Sequence, residues 1–156
     1  MTIRVQFEDF DLTREIAQLR AADPKIGAVV TFIGTVRDLN DGATVTAMEL
    51  EHYPGMTEKI MEEVERQAKA RWNIVDALIV HRYGPLKPLE QIVLVAVASP
   101  HRGEAFAACE FIIDYLKIQA PFWKKEHTPD GARWVDTRVT DERALKKWDP
   151  KRTESP

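Results

Sequence analysis

Hydrophobic and polar positions alternate along Ile3-Arg4-Val5-Gln6-Phe7 as in a strand with one buried face, and Asp11 stands where it can cap a short helix carrying Ile16 and Leu19 on one side. Asp23-Pro24 ends that helix. Ala28-Val29-Val30-Thr31-Phe32-Ile33 is β-branched and nearly continuous, the pattern of a central strand covered on both faces. Asn40-Asp41-Gly42 is a turn signature, and Val45-Thr46-Ala47-Met48-Glu49-Leu50-Glu51 returns with period two, so a hairpin with a long, mobile loop is expected.

Met56, Ile60, Val64 and Ala68 then recur every four positions, which predicts an amphipathic helix ending near Trp72-Asn73. Residues 77–83 and 92–98 read as strands, joined by a connection through Gly84-Pro85 and Lys87-Pro88. From Glu104, the positions Ala105, Ala108, Cys109, Ile112 and Leu116 trace one apolar helical stripe, and the helix closes before Ala120-Pro121. Residues 122–127 and 133–138 form a final hairpin about Pro129-Asp130-Gly131, followed by a short helix to Trp148. Strands and helices in this irregular order predict an α+β fold with a mixed, largely antiparallel sheet and flanking helices.

At 156 residues and 44% hydrophobic content, the chain has the size of one ordinary domain, expected over residues 1–148 with a flexible tail over 149–156. Its net charge of -3 argues against a general nucleic-acid binder, so any cationic function must be local. Cys109 is the only cysteine, which excludes an internal disulfide, a thiolate zinc cluster and a CxxC redox pair. A cysteine inside an apolar helical stripe is a small core residue before it is a nucleophile. With no basic segment and apolar run at the start, and no stretch long enough to span a bilayer, a soluble cytoplasmic protein is expected.

Against this acidic background, residues 98–126 gather His101, Arg102, Lys117, Lys124 and Lys125 around one helix and its two flanking turns. His101-Arg102-Gly103 lies between a strand end and a helix start, where free N–H groups favour an anion, and arginine offers a planar fork for phosphate or carboxylate. The bland alternative is a histidine on a turn beside a solvated arginine, and Arg37 reads the same two ways. Lys117 falls at a helix C-terminus, where the dipole stabilises a cation in any protein. Pro121, four residues later, lets the chain turn and bring Lys124 or Lys125 back toward it. On a strand those two point to opposite faces, and Lys124 is favoured because Phe122 shares its face and can anchor it to a pocket wall.

His52, His81, His101 and His127 are scattered without metal-ligand spacing, and no dinucleotide or P-loop glycine pattern occurs. Neither a metal nor a cofactor is expected. Residue types and spacing alone lead to a small phosphorylated anion held in a Lys/Arg/His pocket.

Phe32-Ile33-Gly34-Thr35-Val36-Arg37-Asp38, Leu50-Glu51-His52-Tyr53-Pro54-Gly55-Met56, Ser99-Pro100-His101-Arg102, and Asp114-Tyr115-Leu116-Lys117 followed by Ala120-Pro121-Phe122-Trp123-Lys124-Lys125-Glu126 together resemble the large, catalytic subunit of molybdopterin synthase. The four motifs stand in that family's order and spacing, from about Val5 to Trp148. The resemblance implies an α/β hammerhead-type fold and a homodimer, with a small ubiquitin-like sulfur-carrier subunit at each outer end of a heterotetramer. It implies transfer of two sulfurs from thiocarboxylates on the carrier's C-terminal Gly-Gly to cyclic pyranopterin monophosphate, forming the molybdopterin dithiolene. Sulfur that arrives on a partner's tail requires no reactive cysteine in this chain.

Matched residue by residue, the resemblance implies that Lys117 and Lys124 are the active-site lysines, and that Arg37, His101 and Arg102 hold the pterin and its phosphate. Thr35, Val36, Lys125 and Glu126 fall within the matching binding segments, and no charged position departs from the pattern. A lysine crowded by cations and shielded from water can serve as acid, base or nucleophile. Two rival readings remain: a noncatalytic module that binds a phosphorylated ligand, and a structural partner that docks another chain through Phe122-Trp123.

Overall fold

The computed structural model describes residues 2–40, 42–135 and 139–149. Asp41 of the expected turn, Asp136 to Arg138 of the expected hairpin, and the tail from Pro150 lie outside the described residues. In chain order the first half comprises β1 (Thr2–Gln6), α1 (Leu12–Arg20), β2 (Ala28–Thr35), β3 (Leu39–Asn40), β4 (Ala43–Thr44), β5 (Ala47–His52) and α2 (Met56–Arg71). The second half comprises β6 (Asp76–Arg82), β7 (Gly84–Leu86), β8 (Gln91–Ser99), α3 (Arg102–Gln119), β9 (Phe122–Thr128), β10 (Gly131–Val135) and α4 (Val139–Lys146).

One sheet has the order β1-β6-β8-β2, a second has the order β10-β9-β5-β7, and β3 and β4 form a small separate hairpin. The architecture is the expected α+β arrangement with mixed pairing, since β1 runs parallel to β6 while the other ladders are antiparallel. Every residue of β8 from Ile92 to Ser99 is buried, because α3 covers one face and the α1 side of the molecule covers the other. Asp11 caps α1 as expected, accepting the Arg14 N–H at 3.2 Å. Among the described residues, no helix is long and apolar enough to cross a membrane.

Four expectations need correcting. The run at 28–33 is an edge strand rather than a central one, with β8 holding the central place between β6 and β2. Both runs are apolar and β-branched, so composition marks them as strands without saying which has two neighbours. The strand that follows the Asn40-Asp41-Gly42 turn does not pair back onto β2. It becomes β5 and crosses into the second sheet between β9 and β7, leaving only the short β3–β4 hairpin behind.

The connection after β6 is itself a strand, β7, paired with β5. Gly84 makes the turn at φ +88°, where a Cβ would meet the Phe7 ring at 2.9 Å. Finally, α2 buries Thr57, Met61, Val64, Glu65 and Ala68, whereas Met56 is exposed. The stripe is rotated by about one position from the four-residue repeat. The Thr57 hydroxyl is satisfied there, donating to the Tyr53 carbonyl at 2.9 Å and accepting the Tyr53 N–H at 3.2 Å. By contrast, the α3 stripe of Ala105, Ala108, Cys109, Ile112 and Leu116 is buried as expected, joined by Phe111.

Candidate functional site

The chain turns through Pro100 and His101 after β8, and α3 packs back across that strand, bringing the Cys109 thiol 3.8 Å from the Val95 carbonyl. The C-terminal turn of α3, with Lys117, therefore lies toward the start of β8. His81 reaches the same end of the sheet, since it pairs with Val93 across the β6–β8 ladder. Thr35 pairs with Gln91 beyond a register irregularity at Gly34, so Arg37 also projects from this end.

β9 begins at Phe122, immediately after Ala120-Pro121, and its alternation sorts the side chains. Phe122 and Lys124 stand opposite His52 and Leu50 of β5, while Lys125 stands opposite Glu49 on the other face. The Phe122 ring stacks on His81 with centroids 3.6 Å apart and an interplanar angle of 14°. His52 adds a third ring 6.0 Å from Phe122, and Tyr83 a fourth, 4.7 Å from His52.

His81 joins the two lysines electrostatically. Its Nδ1 is 2.8 Å from the Arg82 carbonyl, which can only accept, so Nδ1 carries the proton and Nε2 presents a lone pair. Burial pushes the imidazole down to about 3; the Arg82 hydrogen bond opposes this, and the positive charges of Lys117 and Lys124 push the same way, with His52 adding to them. A neutral imidazole thus sits within the field of both lysines. Lys117 from α3 and Lys124 from β9 thus both act on the same ring.

The other candidates are distributed as follows. Val36 is buried, with its N–H donating to the Glu90 carbonyl and its carbonyl accepting the Leu89 N–H, while Thr35 and Arg37 on either side are exposed. Lys125 lies over the Trp134 ring at 5.7 Å, away from the Lys124 face. Glu126 shares the Lys124 face but is fully buried, with its carboxylate 3.2 Å from the Arg133 guanidinium. His101 and Arg102 are exposed at the start of α3. Fifteen residues of helix separate Arg102 from Lys117, about 22 Å along the axis, so a single chain does not bring the two groups to one small ligand.

Sequence reasoning set His81 aside for lack of metal-ligand spacing. The available signal was a polar residue closing an otherwise apolar strand, Ala77-Leu78-Ile79-Val80-His81. Among the described residues, no three His, Cys, Asp or Glu side chains gather as a metal site. Cys109 is buried, and burial raises its thiol to about 12, with the Glu110 charge adding to the effect. It carries no thiolate at neutral pH.

Residues 5–119 match the family model described as MoaE protein. The chain is 69% identical over 147 residues to a molybdopterin synthase catalytic subunit of Ralstonia nicotianae, covering 94% of this chain and 84% of that one. A solved molybdopterin biosynthesis MoaE protein from Burkholderia ambifaria superposes with a TM-score of 0.82 at 62% identity, over 94% of this chain and 97% of the other. The same fold, at 22% identity and a TM-score of 0.70, occurs in a complex of subunits 1 and 2 of molybdopterin-converting factor from Helicobacter pylori, over 87% of this chain and 91% of that one.

Proposed function

This chain belongs to the MoaE family of molybdopterin synthase catalytic subunits, and from that premise we propose that it transfers two sulfurs from the C-terminal thiocarboxylate of a small ubiquitin-like carrier subunit to cyclic pyranopterin monophosphate. The product is the molybdopterin dithiolene. The observation that carries this reading is the stack of Phe122 on His81, with centroids 3.6 Å apart, which seats the start of β9 on the first sheet between Lys117 in the last turn of α3 and Lys124 on the Phe122 face of β9.

Lys117 attends the carbon where sulfur enters, stabilising the oxyanion that develops or passing a proton, and Lys124 assists from β9. In each transfer the thiocarboxylate sulfur forms a bond to a carbon of the pterin side chain, and water then cleaves the acyl C–S bond of the resulting thioester. This leaves the sulfur on the pterin and returns the carrier terminus as a carboxylate, so two thiocarboxylated carriers supply the two sulfurs. The thiol of Cys109 takes no part. Of the binding segments, Arg37 and Thr35 lie at the lysine end, whereas Val36 and Glu126 act through the backbone and the core.

His101 and Arg102 suit a phosphate, but the length of α3 keeps them from the lysines of their own chain. In the homodimer that this reading includes, the second copy's His101 and Arg102 are the pair available to hold the phosphate end. The small carrier subunit then docks at the outer side of each large subunit, giving a heterotetramer. Complementary binding of a phosphorylated substrate and an extended Gly-Gly tail keeps the reacting atoms aligned.

Reconstitution with purified thiocarboxylated carrier and cyclic pyranopterin monophosphate tests this reading through formation of the dithiolene. Ligand binding without product would instead make the protein a phosphate-ligand module.

A further inference from the structure

His81 closes the apolar run of β6, and its ring is held from two sides. The Arg82 carbonyl fixes the ring's edge through Nδ1, and Phe122 covers its face. Arg82 is itself tied down, donating from Nε to the Phe7 carbonyl and from Nη1 to the Gln91 carbonyl, both at 2.9 Å. The imidazole is therefore mounted on a rigid part of the first sheet, and it touches the first residue of a strand in the second.

That contact falls at a decisive place in the chain. Phe122 follows the Ala120-Pro121 hinge, at which the Phe122 N–H donates to the Ala120 carbonyl at 2.8 Å. Lys117 lies five residues before Phe122, in the last turn of α3, and Lys124 lies two residues after it on the same strand face. The β5–β9 ladder holds the strand within the second sheet, and the His81–Phe122 stack ties its first residue, between the two lysines, to the first sheet. Rotation or slippage of Phe122 would move Lys124 with it, because β9 is continuous from one to the other.

We propose that His81 is a positioning residue for the lysine pair: through its stack on Phe122 it fixes the Pro121 hinge and so sets the separation of Lys117 and Lys124. The charged and titratable groups acting on it are Lys117 from α3, Lys124 from β9 and His52 from β5. An uncharged aromatic ring suits the place, since a cation there would add a third positive charge to a pocket that already holds two. The inference rests on the reading of Lys117 and Lys124 as the reacting lysines. Part of its test, however, is independent of turnover.

The test compares His81→Phe, which keeps a stacking ring, with His81→Ala, which removes it. Lysine side chains labelled with carbon-13 are titrated by NMR, with Lys117→Arg and Lys124→Arg assigning the two signals. In parallel, kcat and KM are measured with the thiocarboxylated carrier. His81→Phe is expected to keep both lysine midpoints and to hold kcat within about threefold of wild type. His81→Ala, with its folded far-UV spectrum retained, is expected to move at least one midpoint by about half a pH unit and to lower kcat by about tenfold or more.

A folded His81→Ala protein with unchanged midpoints and unchanged kcat overturns the proposal. So does a His81→Phe protein as impaired as the alanine variant, because the role would then reside in the ring nitrogens. If His81→Ala does not fold, His81→Leu, which keeps apolar bulk without a ring to stack on Phe122, takes its place under the same criteria. If wild-type protein forms no dithiolene, the synthase reading fails, while the lysine titrations still judge His81.

Discussion

The Arg133 guanidinium lies 3.2 Å from the carboxylate of Glu126, directly across the β9–β10 ladder, and the carboxylate is almost entirely buried. Glu126 shares its strand face with Lys124, so the pair stiffens the segment that presents the lysine. Arg133→Ala, which takes this cation away from a carboxylate that stays buried, is expected to destabilise the fold by about 2–3 kcal/mol, and Glu126→Ala, which leaves a half-exposed guanidinium that water can solvate, by no more than that. Denaturant melts of the two variants measure the difference. Equal and negligible effects would show that the pair does not hold β10 in place.

Glu65 is fully buried on α2, with Lys69 Nζ 3.2 Å from one carboxylate oxygen. Burial raises its carboxyl above the ordinary range, and Lys69 offsets only part of that effect. The folded protein then holds a proton here more tightly than the unfolded chain does. The penalty of the charged form is fully present above the raised folded value and fades as pH falls toward the ordinary carboxyl value near 4.5. Glu65→Gln is expected to raise the melting temperature at pH 8 by a few degrees, on the order of a 1 kcal/mol change, with the gain narrowing as pH falls toward 5. A gain that widened on acidification would reverse the sign of the argument.

Cys109 packs in the α3 stripe with its thiol pushed up to about 12 by burial. Alkylation by iodoacetamide at neutral pH is expected to be absent in the native protein and complete in urea, as read by mass spectrometry. Cys109→Ala should lower stability by about 1 kcal/mol while leaving sulfur transfer at its wild-type rate. Loss of transfer in a stable Cys109→Ala protein would bring the thiol back into the chemistry.

Much of the fold was legible where one element carries one unambiguous period. The α3 stripe, the buried β8 run and the β9–β10 hairpin about Pro129-Asp130-Gly131 follow from spacing and turn chemistry alone. Pairing partners were not legible. The period of β5 shows that it alternates, with Met48 and Leu50 buried, but not that it pairs with β9 and β7 rather than with β2. Likewise β2 and β8 share a composition, and only the tertiary arrangement puts β8 at the centre.

The register of α2 was hidden for a different reason. Glu65 and Thr57 occupy buried positions through local partners, so polarity misled there while Met56 stayed in solvent. At the site, strand parity correctly separated Lys124 from Lys125. His81 was invisible because its role depends on a ring contributed by a strand 41 positions away, a contact that no local spacing encodes. The distance between Arg102 and Lys117 follows from helix length once α3 is recognised as continuous from one to the other.

The central claim, that the lysines acting on His81 carry out sulfur transfer, is tested most directly by dithiolene formation from thiocarboxylated carrier and cyclic pyranopterin monophosphate with wild-type protein, Lys117→Ala and Lys124→Ala. Lys117→Ala is expected to lose kcat by about a hundredfold or more while still binding the carrier, with a smaller loss for Lys124→Ala. Product formed by Lys117→Ala at the wild-type rate would contradict the account.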